Sequence, residues 1–353
     1  MEGFIDTVNS VIWSNWLVYL CLGAGAYFTL ATLFLQIRCF PDMIRQLKSG
    51  ESSDQGISSF QSLMISLAGR VGVGNIAGVA TAIAFGGPGA VFWMWLVALL
   101  GSATSFIECC LAQIYKETDR DTGEYRGGPA YYIEKTYKHT AAKPFMLVYA
   151  IIFAVCMLLA TSYFLPGIQA NGVAAAVDNA WGVNVWISAT IMAIMLAFII
   201  IGGVKRIATF ASMVVPFMAG IYIIIAIVVL FANASQIPEV FGTIVRAAFD
   251  KEAAFSGMLG AAIMWGVKRG IYSNEAGQGT GPQSAAAAEV SHPAKQGFVQ
   301  AFAVYVDTLF VCSATAFIII STDMYKVFEG QSEDGAVLYD GSLPDGVAVG
   351  PGF

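Results

Sequence analysis

A chain of 353 residues in which 57% are hydrophobic and 12% charged, with a mean hydropathy of +0.68, is too apolar for a soluble domain, where roughly 25% of residues carry charge. The net charge of −6 comes with no basic patch, so nothing points to a nucleic-acid partner. Six cysteines lie in or beside apolar runs and form no spaced disulfide or metal set, and the two histidines, His139 and His292, are too few for a metal cage.

The charges are clumped. None falls between Asp6 and Arg38, Arg70 and Glu108, Lys143 and Asp178, Asp178 and Lys205, or Arg206 and Glu239. A helix crosses the hydrocarbon with about 20 apolar residues, and reading the apolar runs in order predicts eight crossings. They lie near 12–37, 60–85, 90–115, 145–165, 185–203, 208–232, 254–279 and 297–320. The first run is long enough to remain as a span, and the residues before it lack the basic region and cleavage site of a removable signal peptide. The second and third crossings are separated by GGPG at 86–89, which cannot continue a helix. The polar connection 116–144 contains GGPAYYIE, a candidate interfacial helix.

Lysine and arginine mark the cytoplasmic connections. Arg38, Arg45 and Lys48 follow the first span, and Lys116, Arg120, Arg126, Lys135, Lys138 and Lys143 follow the third. Lys205 and Arg206 follow the fifth, whereas 86–89 and 166–184 have none. Both termini of the chain are therefore expected outside. The alternation weakens later, with Arg246 and Lys251 on the outer side. In this direction the second and seventh segments run oppositely, five crossings apart. Both are glycine-rich and interrupted, which points to an inverted-repeat transporter with its site at the interruptions.

The second segment holds Gly69, Gly72, Gly74 and Gly78 in SLAGRVGVGNIAGVATAIAF. Close helix packing through Gly74 and Gly78 is one reading. The other is an unwound stretch whose amides suit a carboxylate and whose carbonyls suit a hard cation. The seventh, MWGVKRGIYSNEAGQGTGP, places Lys268, Arg269, Asn274 and Glu275 in one crossing, where charge marks function. Asp307, within the eighth span, is either a structural carboxylate or a partner for Arg269 or for an ion. Glu108, near the inner end of the third, is read as a snorkelling or paired surface acid. A channel would repeat its filter by oligomeric symmetry, and a membrane hydrolase needs a nucleophile–base pair or metal cluster that these spans lack.

The run GGPGAVFWMWLVALLG at 86–101 resembles the signature of the sodium:alanine symporter family. GVGNIAGVA at 72–80, RGIYSNEAGQGTGP at 269–282 and SHPAKQGFVQAFAVYVDT at 291–308 resemble that family's other blocks, in the same order. The resemblance implies an all-α integral membrane protein with the five-plus-five inverted repeat of the leucine transporter. In that arrangement 12–37 is an extra N-terminal span, 60–232 the first repeat, 254–320 the first two helices of the second, and 321–353 an external loop. Within the single transmembrane domain 1–353, it implies truncation after eight spans. A complete eight-span carrier completed by dimerisation is the alternative.

The implied function is sodium-coupled symport of alanine or glycine, with sodium as the co-transported ion, at the inner (plasma) membrane. Another solute carrier of the same fold, or a channel, remains the alternative. By analogy with that fold, the substrate carboxylate goes to the amides of Val73, Gly74 and Asn75, and its ammonium to oxygens near Gly72, Ser273 and Asn274. Sodium goes to carbonyls around Ala68 and Val71, with Asn75 beside a second site. Trp265 and Ile271 limit pocket size, and Gly277 and Gly279 permit the second bend. Glu275 holds the broken helices in register, with Arg269 and Asp307 in structural or gating roles. The partners so implied are a small amino acid and the lipid bilayer; oligomeric state is open.

Overall fold

The computed structural model describes residues 12–48, 53, 55–252, 255, 257–330 and 335–342. The tail before residue 12 and the end of the segment read as an external loop, 343–353, lie outside the described residues. Helices α1 (Asn15–Ala31), α2 (Ser59–Arg70), α3 (Val73–Gly86) and α4 (Gly89–Tyr115) open the chain. Ser58 caps α2 by accepting from the Gln61 amide, and the Gln61 side chain accepts from the Ser58 amide in return. Helices α2 and α3 are bent by 42° at Val71–Gly72, as one interrupted span. Gly87, at φ +68°, makes the turn into α4, where a side chain would be strained.

The polar connection folds as a hairpin, β1 (Glu117–Thr118) with β2 (Tyr125–Arg126), followed by the short helix α5 (Pro129–Thr136). Arg126 pairs with Glu117 and Asp119 across that hairpin. Next come α6 (Lys143–Leu159), a π-helical turn at Ala160–Phe164, and α7 (Leu165–Trp181). The segment 166–184, read from sequence as a connection, is thus largely helical. Pro166 lacks the amide that would bond one turn back, and the backbone accommodates it through the wider turn just before. The continuous run Lys143–Trp181 has 39 residues, about 58 Å at 1.5 Å per residue.

Helices α8 (Val185–Ile200), α9 (Gly203–Ala232) and α10 (Ile237–Ala247) lead to α11 (Leu259–Asn274), an irregular stretch, and α12 (Gly281–Ala286). The chain continues through α13 (Pro293–Val304), a π-helical segment Tyr305–Cys312 and α14 (Ser313–Ser321). A second hairpin, β3 (Lys326–Phe328) with β4 (Val337–Asp340), ends the described part. Phe328 packs its ring 6.1 Å from that of Phe85.

Helix α4 is the axis of the bundle, with α1, α11, α12 and α13 packed around it. Val79, Ile83, Met94, Ile244 and Ala316 form the largest buried cluster beside it. Gly266 and Gly270 bring α11 against α4. A Cβ on Gly266 would lie 2.4 Å from the Ala90 carbonyl oxygen, and one on Gly270 2.5 Å from Val97 Cγ1.

Among the described residues, four helices are long and apolar enough to cross a membrane, five with the bent α2–α3 pair counted as one span; α1 and α8 are shorter apolar helices. In the most apolar windows of Lys143–Trp181 and Gly203–Ala232, only 6% and 11% of residues are buried, against 56% for Pro293–Ser321. Ile151, Val155, Ile224 and Val228 on these outer helices, and Ile191 and Phe198 on α8, are exposed, as side chains facing lipid are. The protein is a multi-pass membrane protein.

Candidate functional site

Two interrupted helices meet at the centre of the bundle. Gly72, between α2 and α3, is extended, and a Cβ there would lie 2.6 Å from Gln169 Oε1. The Gln169 side chain comes this close because it accepts from the Val73 amide at 2.9 Å. Asn75 accepts from the Gly72 amide through Oδ1 at 2.7 Å. The amides at the start of α3 are therefore met by two carboxamide oxygens. Open space surrounds Gly78, and Gly74 would make only ordinary contact, 3.4 Å, with the Tyr272 ring. Close packing thus does not explain Gly74 and Gly78; it belongs to Gly266 and Gly270 on α11.

The second interruption follows Asn274. Glu275 at φ 55° and Gly277 and Gly279 at φ 85° turn the chain into α12. Asn274 Oδ1 accepts from the Ala276 amide at 3.0 Å, and Glu275 accepts from the Thr280 hydroxyl at 2.6 Å. Gly279 also abuts α6 and α5, since a Cβ would lie 2.7 Å from Phe153 Cζ and 2.8 Å from Pro129 Cγ. Glu108 is buried, 7% exposed, and accepts from the Gly277 amide at 3.2 Å. The surface role read for it from sequence is corrected. Its place near the end of α4 faces the unwound backbone, whose free amide it satisfies.

Asp307 joins the two interruptions from the π-helical segment. It is 0% exposed and accepts from Asn75 Nδ2 at 2.6 Å, Ser273 Oγ at 2.9 Å and Thr308 Oγ1 at 2.8 Å. Asn75 Nδ2 also lies 3.1 Å from Ser273 Oγ. Among the described residues Asp307 forms no ion pair with Arg269, so that option from the sequence falls. The Arg269 guanidinium lies 5.3 Å from the centroid of the Trp265 ring instead, in a cation–π contact.

A cavity of about 250 Å³ opens beside the first interruption, lined among others by Gly69, Arg70, Gly74, Gln169, Tyr272 and Glu275. Of the residues assigned to substrate or sodium from sequence, Ala68 and Gly74 line it. Asn75, Ser273 and Asn274 lie sealed in the bonded cluster. Val71 packs on the Leu63–Val299 cluster, Trp265 on Phe85, and Ile271 on Val18, Val97 and Val267. The cavity wall is instead closed by Tyr272, Leu165 and Pro166. Sequence reasoning missed Gln169 and Arg70; an uncharged amide in a long apolar helix offers little signal, but an arginine ten residues into a span was a readable one.

The sodium:alanine symporter family model matches residues 1–351. The chain is 53% identical over 353 residues to YrbD of Bacillus subtilis, a protein named as a sodium/proton-dependent alanine carrier, covering 100% of this chain and 70% of that one. It is 46% identical over 297 residues to the sodium/proton-dependent alanine carrier protein of Bacillus sp. PS3, covering 84% and 64%. It is 41% identical over 351 residues to the sodium/alanine symporter AgcS of Methanococcus maripaludis, covering 97% and 76%. The chain thus spans about two thirds to three quarters of these relatives' length. A match along nearly the whole chain, with relatives at this identity, means that the chain belongs to the sodium:alanine symporter family, a family of transporters and not of enzymes.

Proposed function

We propose that the protein carries alanine and similar small neutral amino acids into the cell together with sodium. The observation that supports this most is the meeting of two interrupted helices around one buried carboxylate, Asp307, with the hydroxyls of Ser273 and Thr308 and the carboxamide nitrogen of Asn75 beside it. Oxygen ligands on a rigid frame suit a hard cation. On this reading sodium is held by the Asp307 carboxylate with the hydroxyl oxygens of Ser273 and Thr308, and backbone carbonyls near Ala68 and Val71, with Asn75 close by, serve a second site. The substrate carboxylate replaces the Gln169 oxygen at the amides of Val73 and Gly74, and its ammonium takes oxygens near Gly72, Ser273 and Asn274. Arg269, on the face of Trp265, and the bends at Gly277 and Gly279 frame the moving segment.

The fold behind this reading is the five-plus-five inverted repeat, α2 to α9 forming the first repeat and α11 to α14 the start of the second, with eight crossings in all. Sodium-driven uptake by the full-length protein in proteoliposomes tests it. An inward sodium gradient is expected to accumulate labelled alanine saturably, and equilibration without accumulation would favour a channel. Two relatives are named as sodium/proton-dependent carriers. Accumulation driven by a pH gradient in sodium-free buffer is the result that would put a proton in the ion's place.

Orientation follows from the lysine and arginine distribution, with the N-terminus outside the plasma membrane. Trp181 and Arg120 are both exposed and sit in regions assigned to opposite sides. In a background without reactive cysteines, Trp181→Cys is expected to react with an impermeant thiol reagent applied to intact cells, and Arg120→Cys only after permeabilisation. The opposite pattern reverses the topology.

A further inference from the structure

The π-helical segment Tyr305–Cys312 gives Asp307 a neighbour that a regular helix would withhold. On an α-helix, residues five apart point about 140° away from each other. A π turn closes its hydrogen bonds from i to i+5 instead, so residues five apart share a face. Cys312 thus comes to the same cluster as Asp307. Its Sγ lies 3.2 Å from Asn75 Nδ2 and 3.2 Å from Ser273 Oγ. It is a free thiol, 2% exposed, and it also belongs to the apolar cluster that includes Val79, Ile83 and Ala316.

The two atoms that reach Cys312 are also the ones that occupy Asp307. Ser273 Oγ donates to Asp307 Oδ2 at 2.9 Å, and Asn75 Nδ2 donates to Oδ1 at 2.6 Å. A hydroxyl carries one proton and two lone pairs, and it rotates to suit its partners. For the carboxylate and the Ser273 oxygen to face one cation together, the hydroxyl proton has to leave the space between them. It then needs another acceptor, because a buried donor without one is costly. Among the hydrogen bonds of Ser273, only Cys312 offers an acceptor away from Asp307. Asn75 Oδ1 is already engaged by the Gly72 amide at 2.7 Å.

We infer that Cys312 is a positioning residue for the ion: its sulfur accepts the Ser273 hydroxyl, and offers Asn75 Nδ2 a second acceptor, when sodium engages Asp307. Sulfur is a poor ligand for a hard cation, so the thiol acts through its neighbours and not on the ion. The inference rests on the reading of Asp307 as the carboxylate of the sodium site, and adds to it the group that frees that carboxylate.

The test is the melting temperature of the full-length protein in detergent, titrated with sodium chloride at constant ionic strength. A ligand that binds the folded state raises it, so the titration reads sodium affinity without transport. Cys312→Ala removes the acceptor. A neutral hydrogen bond is worth about a factor of three to ten, and the fitted sodium dissociation constant is expected to rise by that factor. Cys312→Ser restores an acceptor, and its constant is expected to lie within threefold of the parent's or below it. A thiol that only packs gives the reverse order, since alanine is the milder change against an apolar cluster and a hydroxyl the harsher. Should Cys312→Ala fail to fold, Cys312→Val, apolar and of similar size, is read in its place. A constant within threefold of the parent's in the apolar variant, or one raised more than threefold in Cys312→Ser, overturns the role of Cys312. A parent whose melting ignores sodium, or an Asp307→Asn variant that responds as the parent does, overturns the reading of the ion site instead.

Discussion

Asp307→Asn is expected to abolish sodium-driven alanine uptake, by roughly a hundredfold or more at matched expression, while leaving a protein that inserts and folds. The side chain is fully buried and receives hydrogen bonds from Asn75, Ser273 and Thr308. The asparagine keeps the shape and one acceptor oxygen but removes the negative charge. A cation held in a low-dielectric site loses its main electrostatic partner, and charged contacts of this kind are worth about 1.5–3 kcal/mol or more. Asp307→Ala goes further, because three buried donors then lack an acceptor, at about 1–3 kcal/mol each, and it should also lower thermal stability. Uptake by the asparagine variant within a few-fold of the parent would make Asp307 a structural carboxylate and move the ion elsewhere.

Gly266→Leu should prevent the bundle from assembling. Helices α4 and α11 meet at Gly266 and Gly270, which are four residues apart and so share one face of α11. A Cβ at 266 would lie 2.4 Å from a backbone carbonyl oxygen of α4 and 2.6 Å from Trp93 Cβ. A backbone atom cannot rotate aside as a side chain can, so α11 would have to leave α4, taking both the Ser273–Asp307 cluster and the second interruption with it. Overpacking in a core costs about 1–3 kcal/mol even where side chains can adjust, and here the cost is larger. Gly260→Leu on the same helix, where nothing lies within 4 Å, is the control. Size-exclusion profiles and melting temperatures in detergent read the outcome. A monodisperse Gly266→Leu protein melting with the parent would show that the helices sit farther apart.

The places of both interruptions and of most helices were legible in the sequence because they depend on local properties. Apolar run length locates spans, GGPG at 86–89 ends one, and Gly277 and Gly279, which follow Glu275, allow positive φ. The partners were less legible. A pairing of Asp307 with Arg269 was one option because opposite charges in neighbouring spans attract, but Arg269 lies on the Trp265 ring and Asp307 is reached by neutral donors. Glu108 was placed at the surface because its segment ends nearby. Its burial depends on the amide of Gly277, 169 residues away, which only the three-dimensional path brings close. Gln169 was missed for a related reason: the segment after Phe164 has too few charges to distinguish a connection from a helix that continues past a π-helical turn.

Helices α2 and α12, one from each of the two interrupted spans, are stitched together along their length. Ser62 donates to the Ser284 carbonyl at 2.8 Å, and the Ser66 and Ser284 hydroxyls are 2.5 Å apart. At the end of this seam Ile57 and Ala288 form a parallel bridge, with the Ile57 amide on the Ala287 carbonyl at 3.0 Å and the Glu289 amide on the Ile57 carbonyl at 2.8 Å. Peeling one helix away alone would strip each of these bonds of its partner, at about 1 kcal/mol or more apiece in a buried setting. Swinging both together breaks none of them. The inexpensive deformation is joint, with bending shared between Val71–Gly72 and the Glu275–Thr280 stretch. In a carrier this bears on fidelity: a half-opened state, through which ions slip without cargo, is disfavoured by every bond in the seam.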